Sequence, residues 1–154
     1  MPPVPHQLAW RPSDNELVLI KHWRLQRLVL RKRLLQLLCT RLLTTPVPEQ
    51  ETCLQQLCGE LIDYISTGHF KVYSGLLRRK SGLQQDLQHL LTYVFRCIGS
   101  STDIVLDFND SFDEANIPVG SSQMTEALNK LTRSLLVRFA LEEQMLELTT
   151  GNNY

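Results

Sequence analysis

Apolar residues recur every three or four positions along most of this chain, the spacing that puts one buried stripe on an α-helix. A first helix is predicted over about 13–43. It opens on Ser13-Asp14-Asn15-Glu16, with Ser at the N-cap and Glu three residues on, the two halves of a capping box. Pro46 and Pro48 stop it, because two prolines in three residues cannot continue a helix. Proline suits a first turn, so a second helix is predicted from about 48 to 79, closing at the Lys80-Ser81-Gly82 break. The third pattern, about 83–113, keeps one apolar phase through Leu83, Leu87, Leu90, Val94, Ile98, Val105, Phe108 and Phe112. Gly99-Ser100-Ser101-Thr102 lowers its propensity but not its phase, which predicts one long helix with a bend. A loop over 113–122 leads to a last helix over about 121–149.

Four long helical patterns with short connections, and no strand signature, predict an all-α fold. The expected architecture is an elongated up-and-down four-helix bundle forming one domain, 13–150. Ahead of it, Pro2, Pro3 and Pro5 give residues 1–12 the character of a short extended N-terminal arm without a secretory signal pattern.

Within the second helix, steps of about 100° per residue sort the side chains into two faces. Leu61, Ile65, Gly68, Val72 and Leu76 form a core stripe. Gly68 inside that stripe carries a propensity cost of about 1 kcal/mol, as expected where a neighbouring helix approaches closely. Asp63, Ser66, Phe70, Tyr73 and Leu77 gather on the opposite side, an aromatic and aliphatic strip edged by polar residues. Such a strip suits a protein contact, though periodicity leaves open whether a partner or another helix of the bundle covers it. His69 lies between the faces.

The last helix places Leu128, Leu131, Leu135, Phe139 and Leu146 on its core stripe, with Glu142 among them. A buried carboxylate needs partners. Arg138, one turn before it, is within an i,i+4 step, and Arg27 or His69 could reach it from other helices. The expectation is a structural polar cluster that sets helix register.

Composition narrows the function classes. The chain has 154 residues, 43% hydrophobic and 21% charged, with formal net charge zero. No apolar run is long enough for a membrane span. Cys39, Cys53, Cys58 and Cys97 lack CxxC or zinc-ligand spacing, so reduced thiols of a cytoplasmic protein are expected. Bundle metal sites want Glu-x-x-His pairs on facing helices, and none occurs. Nucleophile-elbow, P-loop and dinucleotide glycine patterns are absent too. The expectation is therefore no catalysis, no metal and no cofactor.

Charge is unevenly spread. Seven Lys/Arg and no acid lie between Leu17 and Pro48, whereas nine acids face Lys130, Arg133 and Arg138 between Asp103 and Glu147. The basic first helix raises nucleic-acid binding as an alternative function. Neighbouring basic and acidic helices that neutralise each other explain the same pattern.

Four blocks in order give the chain a family likeness. Cys58–Arg79, "CGELIDYISTGHFKVYSGLLRR", resembles the signature segment of the regulator of sigma D (Rsd/AlgQ) family of bacterial anti-sigma factors. "HWRLQRLVL", with Trp23 and Arg27 in a W-x-x-x-R pattern, "DFNDSFD" at 107–113, and "LLVRFALEEQML", holding Arg138, Phe139, Glu142 and Glu143, are similar to further blocks of that family. The likeness covers about 16–148. It implies a helical bundle, not an enzyme, that binds the C-terminal, −35-recognising domain of the primary sigma factor and reduces its association with RNA polymerase. It further implies a monomer or weak dimer, with no direct contact to nucleic acid or membrane.

Carried over residue by residue, the resemblance places Asp63, Ser66 and Phe70 against sigma, with His69, Tyr73 and Leu77 extending the contact. Trp23, Arg27, Tyr64, Gly68, Arg138, Phe139 and Glu142 match as residues that hold the bundle together. Two departures stand out. Lys21-His22 replaces the family's Asp-Arg before the helix-one Trp, and Ser74 replaces the Glu after the motif Tyr.

Overall fold

A computed structural model describes residues 13–42, 45–79, 82–113 and 120–150. The expected N-terminal arm, 1–12, and residues 114–119 of the expected loop lie outside them. Helix α1 spans Asp14–Leu42 and α2 spans Val47–Thr67. Helix α2 runs on through a π-helical segment, Gly68–Tyr73, into α3, Ser74–Arg79. Helices α4, Gln85–Asp113, and α5, Ser122–Thr150, complete an all-α bundle. Each 29-residue helix is about 43 Å long at 1.5 Å per residue, so the molecule is elongated as expected.

The ends form where the residues allow. The Glu16 amide donates to Ser13 Oγ, and the Ser13 amide donates to Glu16 Oε1, both at 3.3 Å. This reciprocal capping box starts α1. Pro48 sits in the first turn of α2, where its missing N–H leaves no helical bond unmade. Ser121 accepts from the Met124 amide at 3.2 Å and caps α5.

Helix α4 passes through Gly99 unbroken. There the hydroxyls of Ser101 and Thr102 donate back to the Ile98 carbonyl, a local bond that competes weakly with the helix without ending it.

Helix α1 packs chiefly on α2, and α4 chiefly on α5, with α2 bridging to α4. Arg33 Nη2 meets Glu60 Oε1 at 3.0 Å and Arg27 Nε meets the Tyr64 hydroxyl at 2.9 Å, which makes α1 and α2 antiparallel. The Asn109 amide donates to the Cys58 carbonyl, and Tyr73 lies against Phe95, which makes α2 and α4 antiparallel as well. Much of the core between them is aliphatic, Leu30, Leu37, Leu57, Leu61, Leu91, Leu128, Leu131 and Leu135 all being buried.

The π-helical segment is what the apolar pattern did not reveal. A turn closed by i→i+5 bonds holds more residues than an α turn, so each residue in it rotates the chain less. Val72 and Leu76 stay on the core side, as expected. Tyr73, expected on the outer strip, is instead carried inward and is 5% exposed. Tyr73 is thus corrected from a surface residue to a core residue.

Gly68 opens this segment and is buried, as its place in the core stripe required. A Cβ added there would lie 3.2 Å from Trp23 Nε1 and 3.3 Å from Tyr73 Cζ. Both rings are packed on all sides, so neither can retreat cheaply. Gly68→Ala should therefore lower stability by roughly 1 kcal/mol in urea unfolding, despite alanine's better helix propensity. A more stable variant would show that the rings yield.

Candidate protein-interaction site

The interior beneath the outer strip is polar. Glu142 on α5 is fully buried, and its carboxylate accepts from the hydroxyls of Tyr64 and Tyr73, one to each oxygen. Arg138, one turn earlier, approaches Oε2 at 3.4 Å, and Arg27 of α1 lies 3.7 Å from Oε1. Arg138 also donates to Ser101 Oγ at 3.1 Å and Thr102 Oγ1 at 2.7 Å on α4, and to the Tyr73 hydroxyl at 3.1 Å. Glu142 and Arg138 thereby tie α1, α2, the π-helical turn, α4 and α5 together. The expected polar cluster is present with Arg138 and Arg27 in it. His69, the third expected partner, is exposed and takes no part.

Aromatic rings wall the cluster. Trp23 stacks on Tyr64, with centroids 5.4 Å apart and planes 9° apart, and Phe139 meets Tyr64 edge-on at 5.5 Å. The Arg27 guanidinium lies 5.1 Å from the Trp23 ring centre and 5.5 Å from that of Phe139, close enough for cation–π attraction. At its outer edge Glu143 receives Arg24 through Nε at 2.9 Å and Nη2 at 2.8 Å, and Arg27 through Nη1 at 2.5 Å. In the sequence Glu143 stands out only as part of a family-like block. Its clamp joins residues 119 apart in the chain, which no periodicity reveals.

The two adjacent carboxylates are shifted in opposite directions. Burial pushes Glu142 above its ordinary value, against the pull of Arg138, the two tyrosine hydroxyls and Arg27. For Glu143 burial again acts upward, but the hydrogen bonds from Arg24 and Arg27 outweigh it and hold the group low. Burial, and then the nearby Glu142 charge, raise both Tyr64 and Tyr73, so these phenols remain proton donors.

On the outer surface the same helix presents Asp63 and Phe70, both exposed, with Ser66 half-buried between them. Phe70 is 71% exposed, and Leu77 of α3 is 50% exposed. His69 rests edge-on against Phe70, with ring centroids 4.9 Å apart. Among the described residues no helix of the bundle covers Phe70, which removes one of the two explanations periodicity left open. Tyr73 is absent from this face because its hydroxyl is held inside by Glu142 and Arg138. The arrangement offers noncovalent contact: an apolar ring and its histidine on a helix, with a carboxylate two turns away. No group of three His, Cys, Asp or Glu able to hold a metal occurs among the described residues. No helix among them is long and apolar enough to cross a membrane.

Comparison with known proteins decides what kind of chain this is. The model of the family described as "Regulator of RNA polymerase sigma(70) subunit, Rsd/AlgQ" matches residues 9–150. The chain belongs to the Rsd/AlgQ family. It is 31% identical to the "Regulator of sigma D" of Yersinia enterocolitica over 143 residues, covering 88% of this chain and 81% of that protein. The corresponding protein of Yersinia pseudotuberculosis is 29% identical over 143 residues, 88% and 80% of the two chains. That of Enterobacter sp. strain 638 is 31% identical over 104 residues, 67% and 62%. No solved structure matches. Membership in Rsd/AlgQ makes this a transcription-regulatory chain of the sigma-factor regulator class, and both the buried cluster and the exposed strip fall inside the matched region.

Two measurements test the cluster. Glu142→Gln leaves Arg138 buried without a counter-charge and one tyrosine hydroxyl without its acceptor. It should cost about 3 kcal/mol in urea unfolding; an unchanged midpoint would mean that the cluster does not hold the bundle. Glu143 has a folded pKa below its ordinary value of 4.5, so its contribution is present above that value and lost as pH falls toward the folded value. Glu143→Gln should therefore shrink the difference in unfolding free energy between neutral pH and the acid side of that value, with most of its effect at neutral pH.

Proposed function

We propose that this protein is a cytoplasmic anti-sigma factor. It binds the C-terminal, −35-recognising domain of the primary sigma factor and lowers that factor's association with RNA polymerase. The observation that carries the reading is the exposed strip of Asp63, Ser66 and Phe70, with His69 against the ring and Leu77 beyond it. These residues fall in the segment that resembles the family signature, and the Phe70 ring is 71% exposed. A phenylalanine left largely in water on a rigid helix suits a binding anchor, since a few buried aromatic residues carry most of the energy of an interface.

Trp23, Arg27, Tyr64, Gly68, Arg138, Phe139 and Glu142 act beneath the strip as its support and not as contacts. The reading needs no catalytic group, metal or cofactor, and it sets the complex at one chain to one sigma domain.

The basic first helix does not favour the alternative, direct nucleic-acid binding. Among the described residues Arg24 and Arg27 are engaged with Glu143 and Arg33 with Glu60. Exposed Val18, Leu25, Leu28, Val29 and Leu35 are interspersed among the other basic residues, so among the described residues no continuous basic stripe follows a phosphate backbone.

Titration calorimetry with the isolated C-terminal sigma domain tests the assignment. Phe70→Ala should weaken the complex by about 2 kcal/mol, roughly 30-fold, with an unchanged thermal melt of the free protein. A folded Phe70→Ala protein that binds normally would sink this face as the site. A strong, salt-sensitive mobility shift on duplex DNA alone would favour the alternative instead.

A further inference from the structure

Two glycines of this bundle have no purpose within it. Gly59 lies inside α2 and Gly99 inside α4, both exposed, and a Cβ added to either would meet nothing within 4 Å. Neither adopts the positive φ that favours glycine, which among the described glycines only Gly120 does. Each nevertheless carries the penalty of a mid-helix glycine, about 1 kcal/mol relative to alanine. Gly68 differs, because the Trp23 and Tyr73 rings occupy the space its side chain would take.

The two glycines begin parallel patterns. Gly59, Asp63, Ser66 and Phe70 follow one another at i, i+4, i+7 and i+11, one face of α2 and its π-helical extension. Gly99, Asp103, Leu106 and Asp110 repeat the same spacing on α4. The faces lie side by side in opposite directions. Asn109 bonds the Cys58 carbonyl at 3.2 Å at one end, and Tyr73 meets Phe95 at 5.7 Å at the other. Between these two ties the antiparallel register brings Ile62 level with Leu106, and His69 level with Gly99. Ile62 and Leu106 are 38% and 43% exposed, so apolar side chains straddle the seam about two turns from Phe70. Asp63, Asp103, Asp107 and Asp110 surround it, all exposed, and none forms an ion pair among the described residues. Lys71 and Arg96 lie at the other end, near His69.

We infer that the partner-binding ground extends from the Phe70 strip across the seam onto α4, and that Gly59 and Gly99 let a basic, helical partner surface approach to backbone distance. This rests on the sigma-binding reading and assigns the C-terminal sigma domain as the occupant. A domain that recognises DNA carries the positive charge this face complements. The fold gives up helix propensity at two positions where only a partner gains from bare backbone.

Gly99 offers a test in which stability and binding move apart. Gly99→Ala should raise the melting temperature of the free protein by about 3 °C. Gly99→Gln should fold at least as well as the wild type yet bind the C-terminal sigma domain about tenfold more weakly or worse. Leu106→Ala should weaken binding comparably. Asp103→Asn combined with Asp110→Asn should flatten the salt dependence of association.

If Phe70→Ala weakens the complex while Gly99→Gln and Leu106→Ala bind as the wild type does, the extension onto α4 is wrong and the sigma reading stands. If the wild type fails to bind the sigma domain at all, both fall. Sedimentation of the same proteins covers the remaining occupant. Self-association of the wild type that Gly99→Gln abolishes, with sigma binding untouched, would overturn the assignment in favour of a second copy.

Discussion

A carboxylate taken out of water must be answered by donors, and in this bundle the demand made by Glu142 organises everything around it. An uncompensated charge in a protein interior is penalised by several kcal/mol, so the elements nearby are arranged to bring donors to two oxygen atoms. Helix α2 supplies Tyr64, the π-helical turn supplies Tyr73, α5 supplies Arg138 from its own preceding turn, and α1 brings Arg27 alongside. Ser101 and Thr102 of α4 then satisfy the guanidinium of Arg138. Leucine packing would tolerate small slides of one helix past another. Hydrogen bonds of fixed length do not, so the cluster fixes axial position where the apolar layers alone would leave it loose.

The widened turn at Gly68–Tyr73 follows from the same demand. With α-helical rotation Tyr73 would point away from Glu142. With i→i+5 bonding it reaches the carboxylate, while Phe70 and His69 remain outside. Inside and outside are therefore linked through the backbone. The hydroxyl that satisfies the interior also settles which aromatic ring is left to the solvent. The surface strip stands on a supported helix and not on a loop, so its shape is already set.

Much of this was legible in the amino-acid pattern, and the exceptions share a cause. The four rods, the capping box at Ser13 and Glu16, the first-turn Pro48 and the unbroken α4 all depend on neighbours within four residues, which periodicity and cap chemistry register. Glu142 announced itself as a carboxylate in an apolar stripe, and Arg138 as its i,i+4 neighbour. The contacts that complete the cluster join residues far apart in the chain, as Tyr64 and Tyr73 do with Glu142, or Arg24 with Glu143. Nothing in local spacing distinguishes Tyr73 from a surface tyrosine, so periodicity assigns it to the wrong side. A histidine between two faces, such as His69, can turn toward Glu142 or toward solvent; the turn that draws Tyr73 in leaves it out. The exposure of Phe70 depends on what packs beside it, a matter of tertiary arrangement that one helical wheel cannot decide.

The approach of Gly68 to Trp23 has a consequence for how such chains can vary. The indole and the missing methyl share one small volume, bounded on its far side by Tyr64 and Tyr73. Neither position is free to drift alone. A side chain at 68 calls for a smaller ring at 23, and a smaller ring at 23 leaves a void that only a side chain at 68 could refill. Substitution here is a joint event between two helices, so among descendants of one ancestral bundle these sites should change in concert or stay fixed, whatever happens to the surface above them.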